Sequence, residues 1–290
     1  MASKRTILIT GVTGNQGGAV LQALRSHPAY PSLAIRALVR NPAAAAKKLS
    51  DPSITLHTGD LTVASSLAPA LVDVHTAFLV TTPKPNPAAE TAQGITFIDA
   101  AVAAGVQFIV FTSVGSADQN TGIPHFESKR RIEEHLERSG IPHAIIRPVA
   151  FMDSFPVAPG ILRFLILGMF RTAMRGRTLQ FVAVKDIGEV AVMAIMDEAE
   201  WAGKAIELAG DEVSVDGLLD VYQAVMGARP WVCWVPGWLL RALLPTDIYL
   251  MFKFFYERGY NADIPALQKM HPGLLTLEAF LQDKVGKKTE

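Results

Sequence analysis

The chain has 290 residues, half of them hydrophobic and 19% charged, which excludes a disordered chain. This length buries a large core without the help of disulfides or metals. Lysine plus arginine and aspartate plus glutamate each total 27, so the net charge is zero, and broad nucleic-acid binding, which needs a basic surplus, is not expected.

The single cysteine, Cys233, can form no internal disulfide, which fits a reducing compartment, cytoplasmic with the nucleus as a second option. The first apolar stretch, Ile7-Leu8-Ile9, stops at Thr10-Gly11 and is too short for an export signal. No run reaches the roughly 18 apolar residues that cross a bilayer. No transmembrane segment is therefore expected.

In chain order the pattern alternates. A β-branched apolar run at 6–10 predicts a strand, and helical spacing of Val20, Leu21 and Leu24 predicts a helix over 15–26. Strands are predicted at 33–39, 54–57 and 76–80. A helix at 88–104 follows, carried by Ile95, Ile98 and Val102. A strand at 107–112 leads to a helix at 125–139, stopped by Gly140 and Pro142, and to a strand at 143–147. Strands separated by such helices imply right-handed βαβ units and a parallel sheet covered on both faces. The fold class is α/β, a doubly wound parallel sheet.

After Pro148 the periodicity breaks up, and Phe, Met and Trp become common. Strands at 181–184 and 205–209, with a helix at 187–196 between them, are read as a return to the sheet. The expected division is therefore a nucleotide-binding domain over 1–150 with 179–209 added. A smaller, mostly helical lobe over 151–178 and 210–290 would face a substrate or a protein partner. Its aromatic residues suit a core and could also wall an apolar pocket. Four arginines, 163, 171, 175 and 177, make a modest cluster beside an apolar helix.

The motif Gly11-Val-Thr13-Gly14-Asn15-Gln16-Gly17-Gly18 joins the first strand to the first helix. Gly11 suits a tight turn, Gly14 a close approach to pyrophosphate, and Gly17 close helix-on-strand packing. The helix terminus then faces the anion. The second strand ends Ala37-Leu-Val-Arg40-Asn41-Pro42, without the carboxylate that would hold a 2′-hydroxyl. Arg40 can instead hold a 2′-phosphate, so NADP(H) is the expected cofactor. Arg36 is a weaker candidate, and Lys47 and Lys48 read as a solvated helix face. Gly59-Asp60-Leu61 closes the third strand, where Asp60 either accepts from an adenine amino group or caps a turn. Thr81, Thr82 and Pro83 close the fourth and would border the nicotinamide ribose.

With these pieces the sequence resembles the NmrA-like family, an atypical branch of the short-chain dehydrogenase/reductases. The matching motifs are the glycine loop, Arg36 to Pro42, Gly59-Asp-Leu61 and His125-Phe-Glu-Ser-Lys129. Ser139-Gly-Ile-Pro142, Arg147-Pro148 and Tyr260-Asn-Ala-Asp-Ile264 complete them. The resemblance implies a Rossmann domain, a small C-terminal domain and a preference for NADP. The family holds both reductases and redox-sensing transcriptional co-regulators. The superfamily's catalytic Tyr-x-x-x-Lys appears here as His125 and Lys129, with histidine in the tyrosine's place. Lys129 is thus a candidate cofactor and catalytic residue, and His125 a candidate general acid. The blander option is a surface ion pair of Lys129 with Glu133. Ser113, ending the fifth strand, is either a site hydroxyl or a turn residue. Phe151 and Met152, after the sixth strand, are possible pocket residues, Phe151 on the cofactor side. The remaining histidines show no metal-ligand spacing.

Two activities follow as expectations. One is hydride transfer from NADPH to a carbonyl or conjugated double bond of a mostly apolar small molecule. The other is sensing of NADP(H) without turnover, reported to a regulatory protein.

Overall fold

A computed structural model of the chain describes residues 4–233 and 235–289. The chain divides into two compact units. One comprises the chain up to Arg147 with Ile187–Ile206, the other Pro148–Asp186 with the chain from Glu207 onward.

The first unit follows the alternation in the sequence. It runs β1 (Arg5–Thr10), α1 (Asn15–Ser26), β2 (Leu33–Val39), α2 (Pro42–Leu49), β3 (Thr55–Thr58), α3 (Ala64–Leu71) and β4 (Thr76–Val80). It continues with α4 (Pro87–Ala103), β5 (Phe108–Thr112), α5 (Pro124–Ser139) and β6 (His143–Pro148). After β7 (Ala150–Phe151), α6 (Ile161–Met174) and β8 (Thr178–Val182) come α7 (Val184–Met196), α8 (Glu198–Trp201) and β9 (Ala205–Leu208). The sheet order is β3-β2-β1-β4-β5-β6-β9. The ladders from β3 to β6 are parallel, and β9 joins β6 through Ile145 N–H donating to Lys204 O at 2.9 Å.

Side chains alternate across this sheet, and both faces are dry. Leu8, Ala77, Leu79, Ile109 and Phe111 turn to one face, against Leu67 of α3, Phe97 of α4 and Ile132 of α5. Their neighbours Ile7, Ile9, Phe78 and Val110 are equally buried on the other. There α1 and α7 meet so closely that a Cβ on Gly188 would lie 2.5 Å from the Ala19 carbonyl carbon. Burial on both faces explains why these strands read as continuous apolar runs.

In the second unit the sequence reading needs one correction. The run at 181–184 does not return to the main sheet. As β8 it pairs in parallel with β7 and antiparallel with β10 (Asp211–Ser214) in a separate three-stranded sheet. The reason is occupancy: β9 already takes the position beside β6, so only 205–208 joins the main sheet. An apolar β-branched run announces a strand but not its partner. The unit is completed by α6, α9 (Val215–Met226), α10 (Gly237–Leu243), α11 (Thr246–Glu257), α12 (Ile264–Met270) and α13 (Leu277–Thr289). Its core is aromatic: Phe170 lies with ring centroids 5.0 Å from Phe155, 5.5 Å from Phe252 and 6.4 Å from Phe255.

Candidate functional site

The strand order reverses between β1 and β4, the switch point at which open α/β sheets bind ligands beyond their carboxyl ends. Gly11 leaves β1 with φ +60°, and a Cβ there would lie 2.5 Å from Cγ1 of Val80 at the end of β4. Gly14 forms the N-cap of α1, and its N–H donates to Gly11 O at 2.8 Å. A Cβ on Gly17 would stand 2.4 Å from Gly11 O and 2.5 Å from Thr10 O. The helix start is thus pressed onto the loop. No side chain caps α1, and no carboxylate sits in its first turn. Gly11, Gly14 and Asn15 are exposed. An uncapped helix terminus with open backbone suits a diphosphate.

Two side chains brace this loop. Lys48, on the exposed helix face read from sequence, donates from Nζ to Thr13 O at 2.6 Å. Thr112, at the end of β5, donates its hydroxyl to Gln16 Oε1 at 2.5 Å.

Arg40 follows β2 directly and is exposed. Its guanidinium makes no hydrogen bond or ion pair with any described residue. Asp60 is a turn cap: its Oδ1 accepts from Thr62 N–H at 2.8 Å and from the Thr62 hydroxyl at 2.7 Å. Those bonds, helped by the charge of Arg40, hold its carboxyl below the usual aspartate range. Leu61 packs against the core. Arg36 serves the fold, donating to Ala70 O at 2.7 Å and Val72 O at 2.6 Å where α3 ends.

Beyond β4 and β5 lies a buried polar cluster. Lys129 is 8% exposed. Its Nζ donates to Thr81 Oγ1 at 2.9 Å and Thr112 O at 3.2 Å, and stands 3.2 Å from Oε1 of Glu90. It also lies 5.2 Å from the centre of the Phe111 ring. Glu90 is wholly buried and accepts from the hydroxyls of Thr81 at 3.1 Å and Ser128 at 2.5 Å. Burial pushes the Lys129 ammonium below the ordinary lysine value, and Glu90 opposes that shift. Gln93 clasps the next loop, donating to Thr82 O at 3.2 Å and accepting from Thr82 N–H at 3.2 Å. Thr82 and Pro83 are exposed beside it. The Ser113 hydroxyl is buried with no hydrogen-bond partner among the described residues. Such a group suits a ligand atom.

The alternative, a surface pair of Lys129 with Glu133, is not formed. Glu133 belongs to Arg147, whose Nη2 lies 2.7 Å from its Oε2. His125 sits half-buried at the start of α5, its ring edge-on to Phe126 at 4.8 Å. Phe151 lies half-buried on β7, in the second unit.

Gln16, Thr81, Thr112 and Lys129 are thus tied into one network at the strand ends, while Thr13 is held by Lys48 and Asp60 and Leu61 serve the turn after β3. Sequence reasoning missed Glu90, Gln93 and Lys48. A signal for the first two was present. Glu90, Gln93, Gly94, Phe97, Ile98 and Ala101 share the buried stripe of α4. A carboxylate on such a stripe needs a cationic partner elsewhere.

A family model described as the NmrA-like family matches residues 3–281. Quinone oxidoreductase 2 of Escherichia coli is 32% identical over 209 residues, covering 71% of this chain and 68% of its own. Among solved structures, the triphenylmethane reductase of a Citrobacter species, complexed with NADP(H), aligns with a TM-score of 0.76 at 21% identity, over 96% of this chain and 99% of that one. Nmra, a negative transcriptional regulator, aligns with a TM-score of 0.76 at 18% identity, over 96% and 95%. The glycine loop, the strand order and a family match spanning both units all agree: the chain belongs to the NmrA-like family.

Proposed function

We propose that this protein is an NADP(H)-dependent oxidoreductase that reduces a carbonyl or conjugated double bond in a mostly apolar small molecule. The observation that carries this reading is the placement of one buried ammonium, Lys129, at the ends of β4 and β5, beside an uncapped glycine loop. Similarity to Quinone oxidoreductase 2 and to an NADP(H)-complexed reductase supports it.

In this reading the amides of residues 11–17 hold the diphosphate, and Arg40 pairs with the 2′-phosphate. Thr81, Thr82, Pro83 and Ser113 border the nicotinamide end, and Asp60 with Leu61 the adenine end. Reduced nicotinamide supplies the hydride when bound. Lys129 keeps a positive charge next to the reacting end, where it favours negative charge developing on the substrate oxygen. It passes a proton to that oxygen directly or through His125. The substrate thus gains a hydride and a proton, and Lys129 is reprotonated from solvent.

The test is to titrate the protein with NADPH and NADH, then to follow the reduced-cofactor absorbance with quinones, enones and aldehydes. Consumption that Lys129→Met abolishes, with the fold intact by circular dichroism, supports the enzyme. Tight NADPH binding without turnover on any of them supports the second reading, a sensor that signals to a protein partner. Two observations favour that alternative. Histidine stands where the tyrosine would be, and the donors of Lys129 already have partners inside the protein.

A further inference from the structure

The second unit exposes apolar and basic side chains together. At the start of α6, Ile161 is 71% exposed, and Leu162 and Leu165 project from the same side. A covalently distant segment is laid along this helix. A Cβ on Gly168 would overlap Cys233 Sγ, at 2.1 Å, and Val235 N–H donates to the Thr172 hydroxyl at 3.3 Å. Trp231 stands just before Cys233 and Trp238 lies in α10, and these tryptophans are 88% and 72% exposed. Two indoles are therefore held beside α6 with almost no protein cover. Scattered apolar residues on a surface need no explanation, but a contiguous set does.

The charge around this set is mostly positive, with Asp247 at the start of α11 the carboxylate that follows it in sequence. Residues 157–178 contain four arginines and no carboxylate, and 228–246 two more arginines and no carboxylate, in a chain whose net charge is zero. Arg229 is neutralised by Asp216 and Asp220. Arg163 is half-buried and donates to Val157 O at 3.1 Å. Arg171, Arg175, Arg177 and Arg241 are exposed. Arg175 lies 4.8 Å from the centre of the Tyr256 ring, and Arg241 5.3 Å from that of Tyr249. A Cβ on Gly237, next to Trp238, would meet Arg175 Nη2 at 3.9 Å. Indoles, tyrosines and guanidinium groups close to bare aliphatic side chains are the makeup of a membrane–water interface. No helix among the described residues is long and apolar enough to cross a bilayer, so the fit is to the surface.

We propose that the face formed by the start of α6, residues 231–233 and 235–236, and α10 docks on an anionic lipid bilayer. Trp231, Trp238 and Leu162 would enter the headgroup layer, and Arg171, Arg175 and Arg241 would meet the lipid phosphates. Charge complementarity selects this occupant: the arginines call for a negative surface, and the aliphatic residues call for one that is also oily.

The test is co-sedimentation of the full chain with vesicles of phosphatidylcholine alone and of phosphatidylcholine with phosphatidylglycerol, at low and high salt. The expected result is binding to the anionic vesicles only, weakened by salt. It should fall about fivefold for each arginine removed in Arg171→Ala and Arg175→Ala. It should be lost in Trp231→Ala/Trp238→Ala. No binding to anionic vesicles, equal binding to neutral ones, or binding that these variants leave unchanged would overturn the proposal. So would a concentration-dependent dimer, abolished by the tryptophan variant, in a chain that ignores vesicles. None of these residues belongs to the site around Lys129, so NADPH binding and turnover stay readable in every variant.

Discussion

The ammonium of Lys129 and the carboxylate of Glu90 face each other at 3.2 Å, Glu90 wholly buried and Lys129 nearly so. They come from different helices, α5 and α4, thirty-nine positions apart in sequence. The pair places a titratable ammonium where the sheet ends, and its charge depends on pH.

Turnover should therefore carry an alkaline limb below the free-lysine value of 10.5, because burial lowers the pKa of Lys129. Glu90 pulls the other way, so Glu90→Gln should move the limb to lower pH. A pH profile of kcat decides this, and a limb that stays in place would mean that another group titrates. The sign for stability follows. The unfolded chain holds this proton more tightly than the folded one, so the contribution of Lys129 to stability rises with pH between the folded value and 10.5.

Removing one partner alone should be costly. Lys129→Ala strands a buried carboxylate, and about 3–5 kcal/mol of stability is expected to go. The double variant Lys129→Met/Glu90→Leu should recover most of it, because no charge is then left unpaired. Urea denaturation of Lys129→Met, Glu90→Leu and the double variant measures this, and simple additivity would show that the pair is not coupled.

The two neighbouring glycines of α1 should behave oppositely. Gly17→Ala puts a methyl group 2.4 Å from Gly11 O, and the loop must move. A loss of about 1–3 kcal/mol in stability is expected, with at least about tenfold weaker NADPH binding. Gly18→Ala meets only Val12 O at 3.4 Å, and should be neutral or stabilising by up to about 1 kcal/mol. Calorimetric titration with NADPH distinguishes them.

Arg40→Ala should erase cofactor preference. A charge-assisted contact of about 1.5–3 kcal/mol corresponds to roughly 10- to 150-fold in affinity, and the loss should fall on NADPH and not on NADH. Equal weakening of both would assign Arg40 to the fold instead of to the 2′-phosphate.

Arg147→Ala should cost about 3–5 kcal/mol, since its guanidinium pairs with the buried Glu133 and would leave that carboxylate alone. Thermal unfolding of this variant, compared with Asp118→Ala at the exposed end of the same arginine, separates the buried partner from the solvated one.

The main sheet was legible because its strands are buried on both faces and punctuated by glycine and proline, which are local signals. The glycine loop was legible for the same reason: Gly11, Gly14 and Gly17 are each required by a contact within a few residues or with the adjacent strand. What stayed hidden was pairing at a distance. β8 looks like any buried strand, and only the place of β9 beside β6 sends it to another sheet. Glu133 lies one helical turn from Lys129, so sequence spacing suggested that pair. The fold gave Glu133 to Arg147 and brought Glu90 from another helix. Short-range spacing sees helix neighbours and is blind to whatever the sheet carries in from elsewhere.

The buried pair has one more consequence, for sequence drift. Substitution of either residue alone passes through a stranded charge, so the two positions can change safely only together or through a neutral partner. Relatives without a cation at the position of Lys129 are expected to lack the carboxylate at that of Glu90, and this correlation can be read from an alignment.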